Sequence, residues 1–238
     1  MPKFKFLPIL MLGFVLVLLM ANWFDARLVQ LFGFINTDAG TLIFPFTFII
    51  GGIITEVYGF KYARVTIWLA FICNFLFLLY GQLVIHLPSP HYALARNHGF
   101  DQLLHAEARI IIASFIAYFV AEPLDTYLVA KTKVWLKGRL MALRFFTATF
   151  IASFVGSILF GIIAFWGVMS DSNLLLLIIT MWLIKVAIEV IFLPLSVWTA
   201  TRLKRVEQCD IYDSRTNFSL LKLDIQYTRP DNQFKGKP

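Results

Sequence analysis

The sequence predicts an all-α integral membrane bundle of six transmembrane helices with both termini in the cytoplasm. Three observations carry this. The chain is 59% hydrophobic and 15% charged with a mean hydropathy of +0.76, outside the usual make-up of a soluble domain. Its apolar residues gather into six runs, each close to the roughly 20 residues that cross a bilayer. The basic residues recur in alternate connections between those runs, as they do when they face the cytoplasm.

The runs fall at about 6–23, 40–58, 65–85, 109–129, 143–166 and 174–201, giving a transmembrane domain over 1–205 and a cytosolic tail over 206–238. Each run must satisfy its own backbone in lipid, so each is expected to be helical. Lys3 and Lys5 precede the first run; Lys61 and Arg64 follow the second. Lys131, Lys133, Lys137 and Arg139 follow the fourth, and Arg202, Lys204 and Arg205 follow the sixth. The other connections hold Arg27, Arg96 and Arg109, and 167–173 holds no basic residue.

The first run has a basic start like a signal peptide. Its apolar part is long, however, and Met20-Ala21-Asn22-Trp23 offers no small-x-small cleavage site, so it is expected to be retained. The second stretch, Phe44 to Arg64 (FPFTFIIGGIITEVYGFKYAR), is the one around which the others are expected to pack. It has Pro45 between two Phe, Gly51-Gly52 at its centre, Glu56 near its end, and a stop at Tyr58-Gly59. Between the third and fourth runs, His86 to Ala108 holds all four histidines, with His91, His98 and His105 spaced by seven. A metal or pH-sensing cluster is one reading. A polar interfacial loop is preferred, because Pro88-Ser89-Pro90 and Asn97-His98-Gly99 are expected to interrupt any helix there. The fourth run carries Glu122-Pro123 and Asp125, with a bend expected at the proline. In the fifth, Ala148, Ala152 and Gly156 form a small-residue face suited to close helix approach. Thr149, Ser153 and Ser157 on the adjacent stripe either pack or line a cavity. The tail ends in RPDNQFKGKP, expected to be disordered.

Several function classes are excluded. The formal charge of +7 comes largely from Lys and Arg between the apolar runs, with no aromatic-basic stripe for nucleic acid outside them. Cys73 and Cys209 support neither a disulfide nor a zinc site. No Gly-x-Ser-x-Gly, no His-Glu-x-x-His and no histidine within a span points to an enzyme, and no cofactor or metal is implied.

Ionisable groups inside spans cost on the order of 3 kcal/mol each, so they mark candidate sites. Those that stand out are Glu56, Glu122, Asp125, Lys185 and Glu189. Lys185 and Glu189, four apart, either pair within their helix or contact a ligand. Glu122 beside a bend suits a polar ligand; Asp125 suits the same role or an interfacial position. Asn22 and Asn74 are read as interhelical hydrogen-bond partners. Phe44, Phe46, Trp23 and Trp166 suit either stacking on a planar ligand or the membrane interface.

These residues resemble the queuosine precursor transporters, the vitamin uptake transporter family. The resemblance is carried by GTLIFPF from Gly40, EVYGFKYAR from Glu56, RIIIASFIAY from Arg109 with Asp125, and KVAIEVIFLP from Lys185, with Asn22 in the first helix. It implies a six-helix fold similar to the substrate-binding subunits of energy-coupling-factor transporters, in the bacterial inner membrane. It also implies import of deazaguanine-type bases for tRNA modification. The substrate-binding set it implies is Asn22, Phe44, Phe46, Glu56, Glu122, Asp125, Lys185 and Glu189, with no catalytic residue. A small-molecule base and the lipid bilayer are the expected partners, nucleic acid is not, and homo-oligomerisation is left open. The family usually has an Asp near Gly52 and a Gln at Glu122, and its fifth-helix polar pattern differs around Ala148-Thr149, Ser153 and Gly156-Ser157. Alternative readings are therefore a different planar nucleobase- or vitamin-like cargo, or a binding subunit that needs an ATPase partner.

Overall fold

The computed structural model describes residues 4–234 apart from 26, 34 and 107. It is a helical bundle with one small hairpin. The order is α1 (Leu7–Phe24), β1 (Leu28–Leu31), β2 (Ile35–Asp38), α2 (Pro45–Tyr58), α3 (Phe60–Ile85), α4 (Leu94–Ala106), α5 (Ala108–Trp135), α6 (Met141–Phe165) and α7 (Asp171–Glu207). Six segments are long and apolar enough to span a membrane: α1, Gly40–Tyr58, α3, Ile112–Trp135, α6 and α7. This is an all-α membrane bundle. The start of α1 and the end of α7 lie at one end, where the backbone N–H groups of Lys5 and Phe6 donate to the Glu207 carboxylate. That end also gathers Lys61, Lys133, Arg144 and Lys204, and is called the basic end below.

Helix boundaries follow local chemistry. Proline stands in the first turn of both α1 and α2, where its missing N–H costs nothing. Gly59, at φ +90°, separates α2 from α3; a Cβ there would strike the Tyr227 hydroxyl and come within 2.7 Å of Ile211. Asp171 in the first turn of α7 and Lys204 and Arg205 in its last suit the helix dipole. At 37 residues α7 is about 55 Å long, far more than a bilayer core needs, so it projects beyond the membrane or tilts within it.

Several expectations are corrected here. α3, α5 and α7 outrun their apolar runs, because hydrogen-bonded turns continue where hydropathy no longer marks them. The histidine loop contains a helix: α4 runs through Asn97-His98-Gly99, and only the Pro88–Pro90 break is real. The described residues contain no group of three or more metal-ligating side chains; the side chain of His105 lies outside them. The tail is largely folded. Its 3₁₀ turn Arg229–Asp231 is closed by a Thr228–Asp231 capping box, and Tyr212 and Gln233 N–H groups bond to Asp231 and Asp210 carbonyls, each at 2.9 Å. Residues 235–238 lie outside the description.

The bundle closes on its small residues. Ala148 and Ala152 are buried, and a Cβ on Gly156 would stand 2.9 Å from that of Ala121, so α6 lies directly against α5. Leucine and isoleucine side chains such as Leu12, Leu83 and Ile191 face outward, as lipid contact requires.

Candidate functional site

Polar groups inside the bundle fall into three layers. The one farthest from the basic end is assembled where α1, the hairpin and the Gly40–Leu42 turn meet α5, α6 and α7. Asp38, the last residue of β2, accepts from the Thr41 N–H (2.5 Å) and hydroxyl (2.7 Å). Asp25, just past α1, accepts from Ser114 at 2.6 Å. Gly40 permits this approach, because a Cβ there would collide with the Asp25 carboxylate and the Ala21 carbonyl. Lys185 of α7 lies 3.3 Å from the Ser157 hydroxyl and 5.1 Å from the centre of the Phe44 ring, within electrostatic range of Asp25 and Asp38. Asp25, Phe44, Phe48, Ser114, Ser153 and Lys185 line a chamber of about 20 Å³, room for about one water.

The middle layer is acidic. Glu122 and Asp125 of α5 and Glu189 of α7 are all buried. Thr47 of α2 donates to Glu122, and Thr149 of α6 donates to Asp125 at 3.2 Å. One oxygen of each of the three carboxyl groups has no hydrogen-bond partner among the described residues. Glu122 Oε2 faces Gly51 of α2, where an added Cβ would sit 3.4 Å away in ordinary contact.

The third layer lies at the basic end. Arg144 holds Glu56 with two bonds, at 2.7 and 3.0 Å, and Lys204 adds a third at 2.5 Å. Lys133 bonds to Asp210 at 2.7 Å and donates to the carbonyls of Glu56 and Ile211. Lys204 also reaches Asp210, at 2.8 Å. This network ties α2, α5, α6 and α7 to the tail.

The residues singled out from sequence thus divide. Phe44 and Lys185 meet in the chamber; Glu122, Asp125 and Glu189 meet in the layer beside it. Lys185 and Glu189 form no ion pair: the ammonium has Ser157, Phe44 and the two aspartates as its surroundings instead. Both oxygens of Glu56 are engaged by cations, so its position is that of a structural anchor at the basic end. Phe46 packs on Phe192 at 4.9 Å and does not line the chamber. Asn22 lines a different cavity, about 390 Å³ between α1, α3 and α4, shared with Trp23, Asn74 and Phe77. Asn22 Oδ1 and Asn74 Nδ2 have no partner, so the amides do not bond to each other through those atoms. Asp25, Asp38, Thr41, Thr47, Phe48 and Ser114 escaped the sequence reading. The two aspartates stand just outside apolar runs, where a carboxylate reads as a loop residue; their closeness to the GTLIFPF stretch was the available signal.

Six spans around a small chamber that Asp25, Ser114 and Lys185 line suit a membrane transporter. Residues 38–199 match the model of the putative vitamin uptake transporter family, and the chain belongs to that family. It is 26% identical over 177 residues to the probable queuosine precursor transporter of Bacillus subtilis (strain 168), covering 73% of this chain and 76% of the relative. It is 27% identical over 167 residues to the queuosine precursor transporter of Escherichia coli (strain K12), covering 69% and 71% respectively. No solved structure matches. The protein is a multi-pass transporter of the bacterial inner membrane, with a small-molecule substrate.

Proposed function

We propose that this transporter imports queuosine precursors, deazaguanine-type bases that feed tRNA modification, and that the chamber below the hairpin is where the base binds. One observation carries the reading: an aromatic wall of Phe44 and Phe48 faces Lys185, Asp25 and Ser114 across a single chamber. A fused planar base offers a face to stack on and an edge with both N–H donors and a carbonyl acceptor. The ring of Phe44 supplies the first. Asp25 and Asp38 accept from N–H groups, and Lys185 donates to the carbonyl. The chamber is far smaller than such a base, so loading requires the hairpin and the α1 end to move away from α5 and α7. Release toward the cytosol then requires the basic-end network to open. Glu122, Asp125 and Glu189 line the route between the two as acceptors or proton carriers.

Uptake of a labelled deazaguanine base by cells unable to synthesise it is the test. Queuosine should appear in tRNA when the chain is expressed and not otherwise; equal appearance with and without it would defeat the proposal. A different planar cargo is the second reading. It is favoured by Glu122, an acid where the family usually has an amide, held against Thr47 next to the chamber. Competition of uptake by unlabelled bases of altered exocyclic groups distinguishes the two. Co-purification of an ATPase would mark the chain as a binding subunit.

A further inference from the structure

The part of the tail between Asn217 and Ile225 folds back against α3. Arg64, fully buried in the first turns of α3, donates to the carbonyls of Asn217 (3.0 Å), Ser219 (2.7 Å) and Asp224 (2.9 Å). Four residues further along the same helix, the Trp68 indole N–H donates to the Leu220 carbonyl at 2.9 Å. At 1.5 Å per residue, Trp68 sits about 6 Å closer than Arg64 to the middle of the helix. The tail therefore folds back along the first turns of α3 to a tryptophan, the residue that favours the headgroup level of a bilayer. The tip of this segment is apolar and turned outward: Leu221 is 83% exposed and Leu223 60%. Its rim is cationic. Lys222 is exposed between the two leucines, and the exposed Lys131 stands 5.5 Å from the ring of Phe218. The nearby carboxylate, Asp224, is held by Lys61 at 2.7 Å.

From position, exposure and charge together, we infer that Ser219–Ile225 is an interfacial anchor that binds anionic phospholipid in the cytoplasmic leaflet. Leu221 and Leu223 enter the upper acyl layer, where leaving them in water would be unfavourable. Lys222 and Lys131 flank the phosphate, as basic residues do at an anionic surface. Because Arg64 and Trp68 fix the same segment to α3, lipid and helix hold the tail jointly. The inference is independent of what the transporter carries.

The test uses the full-length protein in nanodiscs of phosphatidylethanolamine and phosphatidylglycerol, with a nitroxide near the top of the acyl chain. Leu221→Cys, Leu223→Cys and, as a comparator pointing to water, Arg215→Cys each carry a fluorescent thiol label. Unsubstituted protein, whose Cys209 is buried and Cys73 half-buried, gives the background. Quenching at both leucine positions should exceed that at position 215 by at least twofold. It should fall when phosphatidylglycerol is replaced by phosphatidylcholine, and when Lys131→Gln and Lys222→Gln are added. Equal quenching at all three positions overturns the insertion; leucine quenching that ignores lipid charge and both lysine substitutions overturns the anionic headgroup. All of these side chains are exposed, so the substitutions leave the buried bundle intact, and elution as a single monodisperse species checks it.

Discussion

Lys185 and Glu189 stand one turn apart on α7, both buried, and do not pair: the ammonium lies 3.3 Å from the Ser157 hydroxyl while Glu189 Oε2 has no partner. Helical spacing makes such a pair available, but Asp25 and Asp38 draw the cation to the chamber instead. Substituting Lys185 and Glu189 should therefore have independent effects. Lys185→Met is expected to lower uptake about tenfold or more, the loss of one charge-assisted contact of at least ~1.4 kcal/mol. Adding Glu189→Gln should not restore it. Rescue in the double variant, measured as uptake per transporter in the membrane, would mean the two act as a pair.

Glu56 and Glu122 should separate cleanly into structure and transport. Glu56→Gln takes the buried carboxylate from Arg144 and leaves Lys133 and Lys204 with Asp210 alone. Removing one partner of a buried pair costs about 3–5 kcal/mol, so the amount of folded protein and its melting temperature in detergent should both fall. Glu122→Gln keeps the Thr47 contact in amide form and should change uptake while leaving the membrane level unaltered. The reverse pattern in immunoblots and transport assays would exchange their roles.

Gly59 is strained for any other residue. Its φ of +90° and the closeness of Tyr227 and Ile211 mean that Gly59→Ala should loosen the tail from the α2–α3 corner. Faster proteolysis of residues beyond 208, with a destabilisation of more than about 1 kcal/mol, is the expected result. Unchanged cleavage kinetics would show that the tail is held elsewhere.

The docking of the tail should also weaken in alkali. Burial pushes the Cys209 thiol from an ordinary value near 9 up to about 12, and burial with Asp213 beside it raises the Tyr227 phenol as well. Both groups hold their protons more tightly when the tail is docked. The Cys209 contribution is complete below about pH 9 and is lost as pH rises through the window from 9 to 12. At neutral pH Cys209 should resist alkylation in the folded protein and react once the tail is released. Rapid labelling at pH 7 without release would contradict the burial of this thiol.

How much of this was legible in the chain depends on the range of the forces involved. Hydropathy and backbone satisfaction act locally, so the six spans, the helical class and the shared end of the start of α1 and the close of α7 followed from composition and charge order alone. The motif residues also disclosed the family, and the acids at 56, 122, 125 and 189 declared themselves by being costly where they stood. Which partner each acid takes is a matter of helix rotation and depth, settled only when seven helices pack. Arg144 and Lys204 claim Glu56 from two other helices. Asp25 and Asp38, read as loop residues, are folded inward by the hairpin and by the room that Gly40 leaves. The tail looked like solvent-exposed chain because its apolar residues are few. Its order comes from the buried guanidinium of Arg64, which reaches three of its carbonyls across more than 150 residues of sequence.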